Sequence, residues 1–239
     1  IASCLVGSEM CIRDRTWKKI SKKHLNEKKV LCTVHHLEEK ELEGAYLKDF
    51  KKRDYYVDSY HIITKKTKEK LSLMSDKKQI YAPFWINQEN YFYMSGKNIL
   101  REKYSFEQDD FLVGSFQRDS EGKNVNQPKL IKGPDRLLEI IRYYWEVQDE
   151  KNLKVVLTGY RRDYLIHELT KHNIPFKYFE KTDLKSLNEL YNILDLYIVS
   201  SRTEGGPQSI VEAAITKTPI ISTDVGIASE ILDETSIFN

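Results

Sequence analysis

The chain has little of what would place it in a specialised class. Its 239 residues include three cysteines, Cys4, Cys11 and Cys32, an odd number without a CxxC pair. That leaves no basis for a disulfide framework or a zinc knuckle, and a reducing compartment is the expectation. Ten glycines and six prolines are too few for a collagen-like or low-complexity chain. No run approaches the ~20 apolar residues of a membrane-spanning helix, and the short apolar start lacks the basic region of a secretory signal. A cytoplasmic location follows by elimination. Net charge is nearly absent too: 38 Lys and Arg against 36 Asp and Glu leave +2, without the uniform basic field of a dedicated nucleic-acid binder. What is present, 40% hydrophobic and 31% charged residues, suits a globular fold with a buried core. Function must then come from a local site.

Residues 1–15, IASCLVGSEMCIRDR, contain no Lys or Tyr and two of the three cysteines, whereas the chain from Trp17 onward is crowded with Lys, Asn, Ile and Tyr. The break is expected of a non-native scar, and the stretch is similar to a tract seen at the ends of unrelated translated short-read assemblies; an authentic first strand and turn is the alternative. From Phe111 onward, short β-rich runs alternate with helix-period runs. FLVGSF, VVLTG, PFKYF, LYIVS and PIIST read as strands. Between them, PDRLLEIIRYYWEV, a run bearing Leu165 and Leu169, a run through Leu184, Leu187, Leu190, Tyr191 and Leu194 capped by Thr182 or Asp183, and a segment from Pro207 to about Lys217 read as helices. This order predicts an α/β fold with a parallel sheet wound on both faces and ligands at the carboxyl ends of the strands. Upstream, strands over 29–36, 58–64 and 79–84, with a helix over 67–74, are too few for a complete doubly wound domain. The polar stretch 98–110 is the expected boundary, giving an N-terminal remnant over 16–105 and a C-terminal domain over 106–239.

The sharpest feature is SSRTEGGPQSIVEAA, residues 200–214, directly after the strand LYIVS. Glu204 lies in a Gly-Gly turn, Pro207 stands where a helix should begin, and Glu212 falls in its second turn. Gly205 and Gly206 permit close approach to the backbone, and the amides of a helix start attract anions. Gln208, Glu212 and Thr216 are expected on one stripe, opposite Ile210, Ala213 and Ala214. Two carboxylates so placed suit paired hydroxyls, as on a sugar or ribose, beside an anion site.

Glu204 and Glu212, with seven residues between them, resemble the E-x7-E motif of family four retaining glycosyltransferases (glycosyl transferases group one), which have the GT-B fold of two Rossmann-like domains. FLVGSFQRD with LIKGPDRLLEII is similar to the family's first C-domain strand, its Arg-bearing loop and the Lys-Gly that opens the next helix. PIISTDVGIASEIL resembles the strand and loop after the motif helix. The likeness covers 111–232 well and 29–92 weakly. It implies two doubly wound parallel-sheet domains, the first incomplete and the second lacking its C-terminal end.

The resemblance further implies a nucleotide-diphosphate sugar as donor, with Arg118 and Lys132 neutralising the diphosphate. Glu204 would contact donor-sugar hydroxyls, Glu212 would grip the ribose 2′ and 3′ hydroxyls, the amides of Gly205 and Gly206 would line the site, and His35 of TVHH would stand near the sugar. No metal or other cofactor is then expected, and no aspartates are spaced D-x-D. A glycan or lipid-linked acceptor is the expected partner, and nucleic acid is not. The basic run WKKISKKHLNEKK could brush anionic lipid or be a solvated face. SEGKNVNQPKL, between Arg118 and Lys132, is longer than the family pattern and brings Lys123 and Lys129 as competing cations. Two further classes stay open: a sugar-nucleotide epimerase of related fold, and a nucleotide-sugar-binding fragment without turnover.

Overall fold

The computed structural model describes residues 2–5, 17, 19–35, 37, 43–121 and 124–239. They form two compact units. The first comprises the chain up to Phe84 with Glu204–Gly206 and Ser229–Ile231; the second comprises Trp85–Thr203, Pro207–Ala228 and Leu232–Asn239.

In the first unit, β1 (Ala2–Leu5), β2 (Leu31–Val34), β3 (Ser59–Ile62) and β4 (Lys78–Tyr81) make a four-stranded sheet in that order. β2, β3 and β4 are parallel, and β1 is antiparallel to β2. Residues 6–15 of the suspected scar lie outside the described residues. Tyr60 and Ile62, two apart on β3, enter one core with Cys32, Val34, Phe50, Leu71 and Met74. Three helices, α1 (Lys22–Glu27), α2 (Gly44–Asp54) and α3 (Lys65–Ser72), accompany this sheet. α3 starts two residues before the helix expected from periodicity because Thr64 caps it, its Oγ1 accepting from the Thr67 amide at 3.1 Å. Along the basic run, Lys19, Lys22, Lys23, Lys28 and Lys29 are exposed, and Leu25 is the buried residue of α1. Among the described residues no helix is long and apolar enough to cross a membrane.

The second unit is built on β5 (Phe111–Ser115), β8 (Leu153–Thr158), β9 (Phe176–Phe179), β10 (Leu196–Val199), β11 (Ile220–Thr223) and β12 (Ile237–Phe238). Their spatial order is β12-β11-β10-β5-β8-β9, and every pairing is parallel. A short antiparallel pair, β6 (Ser120–Glu121) and β7 (Asn124–Pro128), occupies the long loop after β5. The strand side chains alternate between two cores. Val113, Val155, Leu157 and Ile198 meet α5 (Pro134–Arg142) and α6 (Asp163–Lys171) on one face. Leu112, Val156, Tyr197 and Val199 meet α7 (Leu184–Ile193) and α8 (Gln208–Ile215) on the other. The long helix read from PDRLLEIIRYYWEV is α5 followed by a π-helical turn over Tyr143–Val147.

The division falls after Phe84, well before the 105/106 boundary read from polarity. The reason is α7, whose buried polar residues serve as anchors for the intervening chain. Asn188 Oδ1 accepts from the Phe92 amide at 3.0 Å, and Asn192 Oδ1 from the Met94 amide at 2.7 Å. In α4 (Lys97–Lys103), Lys103 pairs with Glu189 at 2.5 Å, and Lys97 and Arg101 reach Asp195 at 2.6 and 2.5 Å. Asp195 also accepts from the Leu112 amide at 2.8 Å, so it fixes α4 and β5 together. Asp195→Ala leaves the buried Arg101 without its counter-charge, and a loss of about 3 kcal/mol is expected, measured as a lower urea midpoint. An unchanged midpoint would show that the Ile193 carbonyl, which also accepts from Arg101, is a sufficient partner.

Candidate functional site

In the larger sheet the chain runs outward from β5 through β8 to β9, then returns to place β10 against the other side of β5. The helices after β5 and β10 therefore pack on opposite faces, which opens the sheet at the carboxyl ends of these strands, where α/β sheets hold ligands. A pocket of about 530 Å³ lies there, lined among others by Phe116, Gln117, Gly159, Tyr160, Leu187, Tyr191, Ser209 and Glu212. Its floor is aromatic: the rings of Phe116, Tyr191 and Tyr197 lie 4.8–5.3 Å apart, and the Phe116 amide donates to Tyr197 Oη at 3.2 Å.

Glu212 is the predicted residue on the pocket wall. Pro207 takes the N-cap position with φ −66°, so α8 begins at Gln208, one residue later than expected. Ile210 and Ala213 are buried as expected, whereas Ala214 is exposed and Thr216 is buried, its hydroxyl donating to the Ala213 carbonyl at 2.9 Å. Tyr191 Oη donates to Glu212 Oε2 at 2.7 Å, and the Tyr91 hydroxyl faces the same carboxylate. Both hydroxyls favour the charged form, yet burial outweighs them and raises the Glu212 pKa above the ordinary glutamate value. Burial pushes the Tyr191 phenol far up as well, so it stays a donor.

Lys132 and Gln117 are held together. Gln117 Nε2 donates to the Lys132 carbonyl, and its Oε1 accepts from Ser201 Oγ, each at 3.0 Å. Gly133 follows with φ +61°, packed so closely that a Cβ would sit 1.8 Å from the Ser200 carbonyl oxygen. Arg202 completes the clamp: its guanidinium takes both oxygens of Asp135 at 2.8 and 2.6 Å and the Leu130 carbonyl at 2.7 Å, and holds the Asp135 pKa below the usual value. Lys132 is half-buried, while Arg118, next to Gln117, is exposed. Lys123 lies outside the described residues. Glu204, Gly205, Gly206 and His35 belong to the first unit, where the His35 ring lies 5.4 Å from that of Phe84.

Sequence reasoning missed Gln117, Tyr91 and the polar role of Tyr191. Gln117 stood one residue before the Arg that drew attention. Tyr191 fitted an apolar helical stripe, and its hydroxyl partner is distant in sequence. Tyr91 sits in NQENYFY, which has no period to read.

The profile of the family described as glycosyl transferases group 1 matches residues 97–237, more than half of the chain, and the chain belongs to that family. Solved structures show the same GT-B fold. HepE of Anabaena, in complex with UDP and glucose, has a TM-score of 0.68 at 15% identity, over 90% of this chain and 60% of that one. Sucrose-phosphate synthase of Thermosynechococcus elongatus has a TM-score of 0.66 at 16% identity, over 84% of this chain and 51% of that one. WaaG, a glycosyltransferase involved in lipopolysaccharide biosynthesis, has a TM-score of 0.63 at 14% identity, over 97% and 59%. The chain thus spans little more than half the length of these structures. No curated protein matches it in sequence.

The raised pKa of Glu212 has a definite linkage sign. The folded protein holds this proton more tightly than the unfolded chain does, so the group's contribution to stability falls as pH rises through and above ~4.3. Glu212→Gln is therefore expected to melt above the parent at pH 7, with the gap closing near pH 4. Thermal unfolding of both proteins across that range checks this; a gap independent of pH refutes it.

Proposed function

We propose that the pocket at the switch point binds a nucleoside-diphosphate sugar, and that the complete enzyme is a retaining hexosyltransferase delivering the sugar to a glycan or lipid-linked acceptor in cell-surface polysaccharide or glycoconjugate synthesis. The observation that carries this reading is Glu212 on the pocket wall, half-buried, bonded by the Tyr191 hydroxyl and faced by that of Tyr91. A carboxylate has about four acceptor positions, and the two tyrosines leave room for the vicinal hydroxyls of a ribose. Structural relatives solved with UDP, among them HepE with UDP-glucose, add support for the donor class.

Lys132 and Arg118 would neutralise the diphosphate, and family resemblance adds His35, Glu204, Gly205 and Gly206 on the sugar side. Cations and helix-start amides aimed at developing charge lower the barrier to diphosphate departure, one such donor commonly contributing ~3 kcal/mol. They supply the charge that a metal supplies in other transferases. The acceptor would attack from the leaving-group face while a diphosphate oxygen takes its proton, so no side-chain base is required. The exposed lysines of the basic run suit peripheral contact with anionic lipid at the inner face of the membrane.

Calorimetric titration tests the donor site. Glu212→Ala is expected to erase the preference for UDP over 2′-deoxy-UDP, and an intact preference would sink the ribose assignment. Lys132→Ala is expected to weaken UDP about tenfold while leaving uridine nearly unchanged; equal losses would refute the phosphate role. Product analysis without acceptor separates the classes, because an epimerase releases an isomerised donor.

A further inference from the structure

The least expected buried group of the second unit is an ion pair. Asp119, in the loop after β5, and Arg162, before α6, are each 1% exposed, and Arg162 Nε lies 3.0 Å from Asp119 Oδ2. The two are close as charges without the alignment of a hydrogen bond, and both Nη atoms of Arg162 lack a hydrogen-bond partner among the described residues. Such a pair is a poor source of stability, since apolar side chains of similar volume would avoid the desolvation. What it supplies is geometry. α6 has no side-chain cap from its own N-cap residue, Arg162. Ser120 Oγ supplies the cap instead, accepting from the Tyr164 amide of the first turn at 3.1 Å while donating to Asp119 Oδ1 at 2.9 Å. The Asp119 and Ser120 amides both donate to the Arg161 carbonyl, at 3.1 and 3.2 Å, and Arg161 holds a left-handed φ of 61°. The Asp119 carbonyl accepts from the Lys129 amide at 2.6 Å.

We propose that Asp119, through its pairing with Arg162, is a positioning residue for donor binding: it welds the loop after β5 to the start of α6 and so sets the direction in which Arg118 presents its guanidinium. Arg118 is exposed between two anchored neighbours, Gln117, whose amide is bonded at both ends, and Asp119. A long cationic side chain flanked in this way keeps its own rotamers but loses backbone freedom, which lowers the entropy cost of meeting a phosphate. The proposal rests on the diphosphate role given above to Arg118.

A double-mutant cycle on the 239-residue chain, read by calorimetry with UDP and with uridine, tests it. Asp119→Asn is expected to weaken UDP about tenfold, to leave uridine within about twofold, and to cost nothing further in an Arg118→Ala background. Arg162→Lys, which keeps the charge on Asp119, should stay within about threefold of the parent for UDP. Should Asp119→Asn fail to fold by circular dichroism, Ser120→Ala loosens the same weld and takes its place in the cycle. Full additivity with Arg118→Ala, or equal losses for UDP and uridine, overturns the positioning role and leaves the diphosphate reading intact. Undiminished UDP affinity in Arg118→Ala alone overturns the diphosphate reading and the positioning role with it.

Discussion

Because β8 and β9 lie to one side of β5 while β10, β11 and β12 lie to the other, the helices that follow β5 and β10 pack on opposite faces of the sheet and a crevice opens at the carboxyl ends of the strands. The rest of the second unit answers that opening. Its floor is filled by aromatic rings contributed from both strands and from α7, and the rings bring hydroxyls with them. Those hydroxyls then determine what a carboxylate on α8 can be. The Tyr191 hydroxyl favours the charged carboxylate, and burial outweighs it. The carboxylate is tolerated in its place, not fully solvated by it.

The loops around the crevice are anchored with unequal firmness. On the β10 side, a glutamine amide, two serines and an arginine fork bind the segment 130–135 to the strand end. On the β5 side, one buried ion pair and a borrowed helix cap do the same for residues 117–120. Each anchorage fixes the backbone next to one long cation, Lys132 on one side and Arg118 on the other. A site for a small anionic ligand gains from that division of labour, because the backbone is ordered before the ligand arrives and the side chains still adapt.

Much of this was legible from residues 111–223, where apolar runs of period two alternate with helical stripes and the strands fall close to where they were read. Of the residues read from the Gly-Gly-Pro turn and the two glutamates, Glu212 lines the pocket of the second unit, because a helix start carries its chemistry in sequence order. Legibility failed where a residue's role is set by a partner far along the chain. Asn188, Glu189 and Asn192 look like the solvent face of α7, yet they are buried because residues 85–104 need hydrogen-bond partners. α4 was lost inside a stretch that polarity marked as a linker. Asp119 reads as a loop aspartate until α6 is seen to lack a cap of its own. Tyr191 reads as one residue of a helical stripe, and a buried ring gives no sign of where its hydroxyl goes.

Gly133 sits in the connection between β5 and α5, and connections of this kind ordinarily accept insertions and exchanges. Its α-carbon nonetheless touches the carbonyl of the strand that ends at Ser200, with no room for even a methyl group. Any side chain there would push the strand end and the lysine before it apart. In mutational terms this loop residue behaves as a core residue of the smallest size, and the cation beside it inherits the rigidity of the sheet.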